Sequence, residues 1–239
     1  MKKTLIALMA LACSAMGADY KADTIWTLDF GSEYGSGTSA YQLTGTLENK
    51  GTFWDMVDVD GGVVTSSEKR VHLAGGVYGS WNEDFVFSMS LTLGNAEGAI
   101  SASNSWPVFG EIGGNGTYVR FGPYTNMNNA VGVDGNLDKG EGNLVSVQAG
   151  EHYIITLTKL GSDITVAVNG TTTAVGTLAA GVTGNITDVV LGGDRNNNYK
   201  INEVIHSVSY STLSVVPEPA TATLSLLALA GLAARRRRK

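Results

Sequence analysis

Three acids stand at short spacing beside a flexible turn: Asp55, Asp58 and Asp60, followed by Gly61-Gly62. Clustered carboxylate oxygens are the donors that calcium takes, and they make Ca2+ the one cofactor the sequence suggests. The spacing departs from the EF-hand loop, which needs a later glutamate, and an acidic turn in an acidic protein accounts for the same residues. Asp194 in LGGDRNNNY is a second oxygen donor of this kind. Another set of residues suits sugar rather than metal. Trp81, Trp106, Tyr124, Asn126, Asn128 and Asn129 combine flat aromatic surface with amides, the means by which a glycan is stacked and hydrogen-bonded at a loop rim. The same tryptophans would equally fill the edge of a core, and the asparagines would equally form a turn.

Covalent and acid–base chemistry leaves no motif. No Glu-x-Asp-x-x-Glu or Glu-x-Asp-x-Glu string occurs, so no strand is marked as carrying the two carboxylates that glycosidic cleavage requires. His-Glu-x-x-His and Gly-x-Ser-x-Gly are also missing, which removes the commonest zinc-hydrolase and serine-hydrolase signatures. His72, His152 and His206 are isolated in strand-like surroundings. The sequence therefore reads as that of a protein that is not an enzyme.

The two ends carry addresses. Lys2 and Lys3, the apolar run Leu5 to Leu11 and small residues at Ala15, Gly17 and Ala18 have the layout of a secretory signal peptide over residues 1–17. A lipoprotein signal ending at Cys13 would want Leu where Ala10 stands. Cys13 is the only cysteine, so the mature body is built without disulfides. Of the 16 Lys and Arg, seven lie in the end segments (Lys2, Lys3, Arg235, Arg236, Arg237, Arg238, Lys239), and of the 22 acids only Glu218 does. This leaves nine cations against 21 acids and a net charge of −12 for the body. Such a surface excludes nucleic acid as a partner, because phosphate contacts need clustered Lys and Arg.

The C-terminal segment, residues 215–239, begins with Pro217-Glu218-Pro219, continues through fifteen uncharged residues from Ala220 to Ala234, and ends in the basic run Arg235 to Lys239. As a helix the uncharged stretch would span about 22 Å. That is short of a hydrocarbon core of about 30 Å, but snorkelling arginines and local thinning close the difference. A short transmembrane helix with its basic end in the cytoplasm is the expectation. Triplet, apolar span and basic end, in that order, resemble the PEP-CTERM sorting signal. The resemblance implies export to the cell envelope, surface or extracellular matrix, with an exosortase-type membrane protease as processing partner.

The body, residues 18–214, reads as one all-β domain. Its many Gly, Thr, Val and Ser and few Pro suit short strands and tight turns. Expected strands are Thr24 to Phe30, Tyr41 to Leu47, Arg70 to Ala74, Phe85 to Leu93, Val108 to Ile112, Thr117 to Phe121 and Asn143 to Val147. EHYIITLTKL, DITVAV and TTTAV follow, separated by Gly161-Ser162 and Asn169-Gly170, which suit type II′ and type I′ hairpin turns. Near the end, Ile201, Val204, Ile205 and Val208 have helical spacing, yet the Val, Ile, Ser and Tyr content favours a strand bent by a bulge near Asn202 to Glu203.

This order of elements, FVFSMSLTL, then HYIITLTKLGSDITVAVNGTTTAV, then ITDVVLGGDRNNNYKINEVIHSVSYSTLS, resembles the concanavalin A-like, or LamG-like, domain. The resemblance implies a two-sheet antiparallel jelly-roll sandwich and a non-catalytic, lectin-like body with glycans as partners. A divergent glycoside hydrolase and a purely structural envelope protein are the alternatives.

Overall fold

The computed structural model describes residues 20–30, 42–45, 57–59, 62–65, 71–94, 107–114, 116–124, 129–142, 145–194, 196, 201 and 203–216. The backbone alone is described at 42–45, 57–59, 62–65, 124 and 139–142. The described residues are all-β, and no helix among them is long and apolar enough to cross a membrane. The signal peptide, the sorting triplet, the apolar span and the basic run all lie outside the described residues.

The strands are β1 (Tyr20–Asp29), β2 (Gln42–Gly45), β3 (Val57–Val59), β4 (Gly62–Thr65), β5 (Val71–Leu73), β6 (Gly79–Ser80), β7 (Phe85–Leu93), β8 (Gly110–Gly114) and β9 (Thr117–Tyr124). They continue as β10 (Ala130–Gly135), β11 (Leu137–Gly142), β12 (His152–Leu160), β13 (Asp163–Val168), β14 (Thr171–Leu178), β15 (Asn185–Ile186), β16 (Asp188–Leu191) and β17 (Glu203–Val215). The larger sheet runs β11-β14-β13-β12-β7-β17-β1-β2, with β3 and β4 attached at the start of β17. The smaller runs β10-β9-β8-β16-β5, and β15 and β6 form a two-stranded pair.

Both hairpins follow their turn chemistry. Gly161 alone of its pair has positive φ (+58°), as type II′ requires, whereas Asn169 (+49°) and Gly170 (+82°) both do, as type I′ requires. The Asn169 side chain adds a bond, accepting the Ile154 N–H at 2.8 Å. The alternation then places Ile155, Leu157, Ile164, Val166 and Val168 in the core, with Tyr153 packed against it. Lys159 ends that inward row and is also buried. Its Nζ donates to the Glu83 carbonyl at 2.9 Å and lies 3.6 Å from Asp84 Oδ1.

Aromatic rings tie the larger sheet to the loops and to the smaller sheet. Trp26 stacks on Tyr210 with ring centres 6.3 Å apart and meets Tyr78 and Phe87 edge-on. Its Nε1–H donates to the Tyr78 carbonyl at 2.7 Å. Phe87 reaches across the sandwich to Phe121 at 6.1 Å.

Three sequence expectations need correction or relocation. Of the strand expected at Asn143 to Val147, the described residues 145–147 make one isolated bridge, Ser146 to Ala130, and the regular strand just before them is β11. The segment from Glu203 is a strand as expected, but its bulge lies between Ile205 and Ser207 rather than near Asn202. Trp81 is 2% exposed and packs 5.8 Å from Phe85, so the core claims it and it provides no sugar platform.

Gly79 lies against the ring of Tyr210, whose atoms occupy the space a Cβ would need. Gly79→Ala is expected to displace the Trp26–Tyr210 stack and lower stability by about 2 kcal/mol, read as a lower urea midpoint with unchanged slope.

Candidate functional site

The centre of the larger sheet presents hydroxyls where an ordinary solvent face presents charge. On β7 the outward residues are Val86, Ser88, Ser90 and Thr92, alternating with buried Phe85, Phe87, Met89, Leu91 and Leu93. Register sets Thr156 of β12 opposite Ser88 on one side and Ser209 of β17 opposite it on the other. The three form one rung across three strands, spanning about 10 Å at the usual strand spacing. All three residues are buried, and their hydroxyl oxygens have no hydrogen-bond partner. Leaving a buried hydroxyl unpaired costs about 1–3 kcal/mol.

Toward the end where β12 and β17 begin, the same face carries two imidazoles. His152 stands opposite Thr92 in register, and its Nε2 hydrogen-bonds to Ser90 Oγ at 2.9 Å. His206 hydrogen-bonds through Nε2 to Thr92 Oγ1 at 2.8 Å. The ring centres are 5.6 Å apart with planes tilted by 41°. The bulge of β17 produces this meeting. Ile205 faces the core, Val208 and Tyr210 face it again, and the extra residue turns both His206 and Ser207 outward. The His206 carbonyl meanwhile accepts the Phe30 N–H at 2.9 Å.

His152 is exposed and His206 half-buried, so the face grades from an open imidazole end to the closed hydroxyl rung. Partial burial, and then the neighbouring His206, hold the His152 imidazole below its usual pKa. At neutral pH it is uncharged and able both to donate and to accept. On the core side of the same end, Glu203 is fully buried, neither carboxyl oxygen has a hydrogen-bond partner, and burial drives its pKa well up.

Most residues singled out from sequence are elsewhere. Asp58 lies in β3 opposite Val63 with only its backbone described, and Asp55 and Asp60 are outside the described residues. Among the described residues no group of three or more His, Cys, Asp or Glu could hold a metal. Tyr124 ends β9 opposite Ala130, its side chain not described. Trp106, Asn126 and Asn128 are outside the described residues. Asn129 has the left-handed φ of +57° that a turn asks for. Asp194 is buried just past β16. Conversely, sequence reading set His152 and His206 aside as isolated and passed over the hydroxyl rung. The available signal was Ser or Thr at every second place in FVFSMSLTL and in SVSYSTLS, positions where a solvent-facing strand would usually carry Lys or Glu.

Comparison with known proteins agrees with the architecture. The PEP-CTERM protein-sorting motif matches residues 215–239, so the chain carries the mark of exported cell-surface and extracellular proteins. No curated protein matches the sequence. Among solved structures, domain 4 of AbnA, a GH43 extracellular arabinanase from Geobacillus stearothermophilus in complex with arabinotriose, is 12% identical. The match covers 82% of this chain and 96% of that one, with a TM-score of 0.51. A sialidase from Trypanosoma rangeli bound to 2,3-difluorosialic acid is 13% identical over 80% of this chain and 30% of its own, also with a TM-score of 0.51. These likenesses show an all-β, jelly-roll-like sandwich; fold of this kind does not by itself separate a binding module from a catalytic one.

Because the His152 pKa is lowered on folding, the unfolded chain binds the extra proton first as pH drops below about 6.5. His152 therefore supports the fold above that pH and loses its contribution as pH falls through its folded pKa. An NMR titration should place its midpoint below that of an unfolded peptide, and His206→Gln should move it part of the way back, since burial remains the larger cause. Glu203→Met should raise the unfolding midpoint at neutral pH, because it removes an unpaired buried carboxyl; a lower midpoint would show that the carboxyl is held by a favourable partner.

Proposed function

We propose that this protein is a non-catalytic, glycan-binding component of the cell surface or extracellular matrix, delivered by its exosortase-type sorting signal and binding carbohydrate on the outer face of its larger sheet. The observation that carries the reading is the rung Thr156–Ser88–Ser209, three buried hydroxyls without partners, next to two imidazoles already bonded to Ser90 and Thr92. A polyol satisfies such a row well, since each of its hydroxyls donates and accepts once the ligand's own water is released. Trp106, Tyr124, Asn126 and Asn128 are the rim residues this reading names, because their aromatic surface and amides suit a glycan. Calcium at Asp55, Asp58 and Asp60 would serve as a structural ion of the sandwich.

A hydrolase is the second reading, favoured by the 2.9 Å pair of Ser90 Oγ and His152 Nε2, a hydroxyl beside a base. It predicts release of sugar from envelope or mucin-type polysaccharide that Ser90→Ala abolishes. The binding reading predicts retention without release.

Glycan-array binding by the wild-type chain should weaken about tenfold or more in the double variant Ser88→Ala, Thr156→Val, two hydrogen bonds at about 1 kcal/mol each. The melting temperature should not fall, since apolar replacements of the same shape remove unpaired groups. Unchanged glycan affinity in that variant would refute the face as the site. Deleting Pro217 to Lys239 should misroute the protein in cell fractionation while leaving the body's circular dichroism intact.

A further inference from the structure

We infer that the corner of the larger sheet where β17 ends is a lipid-contacting patch, which seats the body on the bilayer surface while the sorting segment holds the chain there. Val86 and Leu213 form a small apolar cluster separate from the main core, and Tyr20, Ala22 and Leu160 pack against it partly buried. Register makes these residues one surface. Tyr20 stands opposite Val215 and Ala22 opposite Leu213, and Val86 lies between Ser211 of β17 and Thr158 of β12, two places before Leu160 closes that strand. Among the described residues four large apolar side chains are exposed, and two of them, Val215 at 60% and Val216 at 40%, are consecutive at this corner. Open apolar groups beside an already formed cluster mark a contact surface, whereas the same groups scattered singly would be ordinary.

The occupant follows from where the chain leads. Only Pro217, Glu218 and Pro219 separate Val216 from the uncharged stretch Ala220 to Ala234, at most about 14 Å of extended chain. At the other end, the signal-peptide layout of residues 1–17 stops just before Tyr20, the register partner of Val215. Both membrane-directed segments therefore leave the body at one corner, and the open apolar surface is at that corner. Tyr20 suits the position, since an aromatic ring with a polar tip settles at the membrane–water interface. With nine cations against 21 acids in the body, attraction to anionic lipid contributes nothing, so the contact is apolar and insensitive to salt. A tether this short gives the patch a high effective concentration at the surface, so weak intrinsic affinity suffices. The contact rests on the membrane span read in Ala220 to Ala234 and is independent of glycan binding at the other end of the face.

The test uses the full chain carrying Cys13→Ser, reconstituted into phosphatidylcholine vesicles, with one new thiol bearing an environment-sensitive nitrobenzoxadiazole label. Leu160→Cys places the label in the patch on a strand far in sequence from either membrane-directed segment, so tethering alone does not bring it into lipid. Glu151→Cys, just before the other end of β12 and about 30 Å away at 3.3 Å per residue, is the reference. The Leu160→Cys label should emit at shorter wavelength and be quenched several-fold more strongly by nitroxide-bearing lipid than the Glu151→Cys label, and high salt should not change this. Adding Val215→Ser and Val216→Ser, both exposed and therefore safe for the fold, should return the quenching to the reference level while the chain still floats with the vesicles. Equal quenching at the two label positions would overturn the patch. Protection of the Leu160→Cys label only when the processing protease is present, or only at high protein-to-lipid ratio, would also overturn it, in favour of the protease or a second copy of this chain. A chain that does not float with the vesicles refutes the membrane span and the patch together.

Discussion

Strand β17 is the constraint on which the rest of the molecule depends. It is the last strand of the body, yet it lies inside the larger sheet, paired with β7 through Glu203 to Thr212 and with β1 through Ser207 to Val215. Tyr210 is its keystone, stacked on Trp26 of β1, 5.0 Å from Phe85 of β7, and accepting the Ser80 N–H through its hydroxyl. Burial holds that phenol protonated far above its usual range, so it stays an uncharged partner at every physiological pH. Contacts such as Thr24 Oγ1 to Ser211 Oγ at 3.1 Å join the two extremes of the body. No large fragment lacking β17 can close this sheet, and such long-range closure is slow as well as all-or-none.

The same strand links the core to the candidate site. A regular strand would alternate core and surface without interruption, so Ile205 and Val208 could not both face inward. The bulge resolves the conflict by letting two consecutive residues, His206 and Ser207, face outward. One irregularity thus keeps Ile205, Val208 and Tyr210 in the core and sets His206 against His152. Packing and site are satisfied by one backbone feature, which explains why the imidazole pair is legible only from the folded chain.

Much of the fold was legible in the sequence because its determinants are local. The turns Gly161-Ser162 and Asn169-Gly170 fix their hairpins through backbone conformations that few residues tolerate, and the inward rows of β12 and β13 follow by alternation. The helix-like spacing of Ile201, Val204, Ile205 and Val208, set aside in favour of a bulged strand, has a physical reason: a bulge in a period of two leaves a step of three. Strand β11 escaped notice because Leu137–Gly142 is charged and glycine-rich, a composition suited to the edge position it occupies. Trp81 reads as a platform only until its neighbour Phe85 is placed at the start of a central strand. The hydroxyl rung was illegible because Ser88, Thr156 and Ser209 come from distant parts of the chain, and register between strands is not written in any one of them.

The arrangement of β17 also relates the two addresses to the site. Tyr20 and Val215 are register partners, so the body begins and ends at one corner of the larger sheet. His206 and Val215 stand on one strand, about 30 Å apart at 3.3 Å per residue. Whatever holds the chain by its sorting segment holds it at the corner farthest along β17 from the imidazoles. The His152 and His206 end of the face and the end of β17 that leads to the sorting segment are therefore opposite ends of one strand, and this separation follows from pairing the first strand of the body with the last.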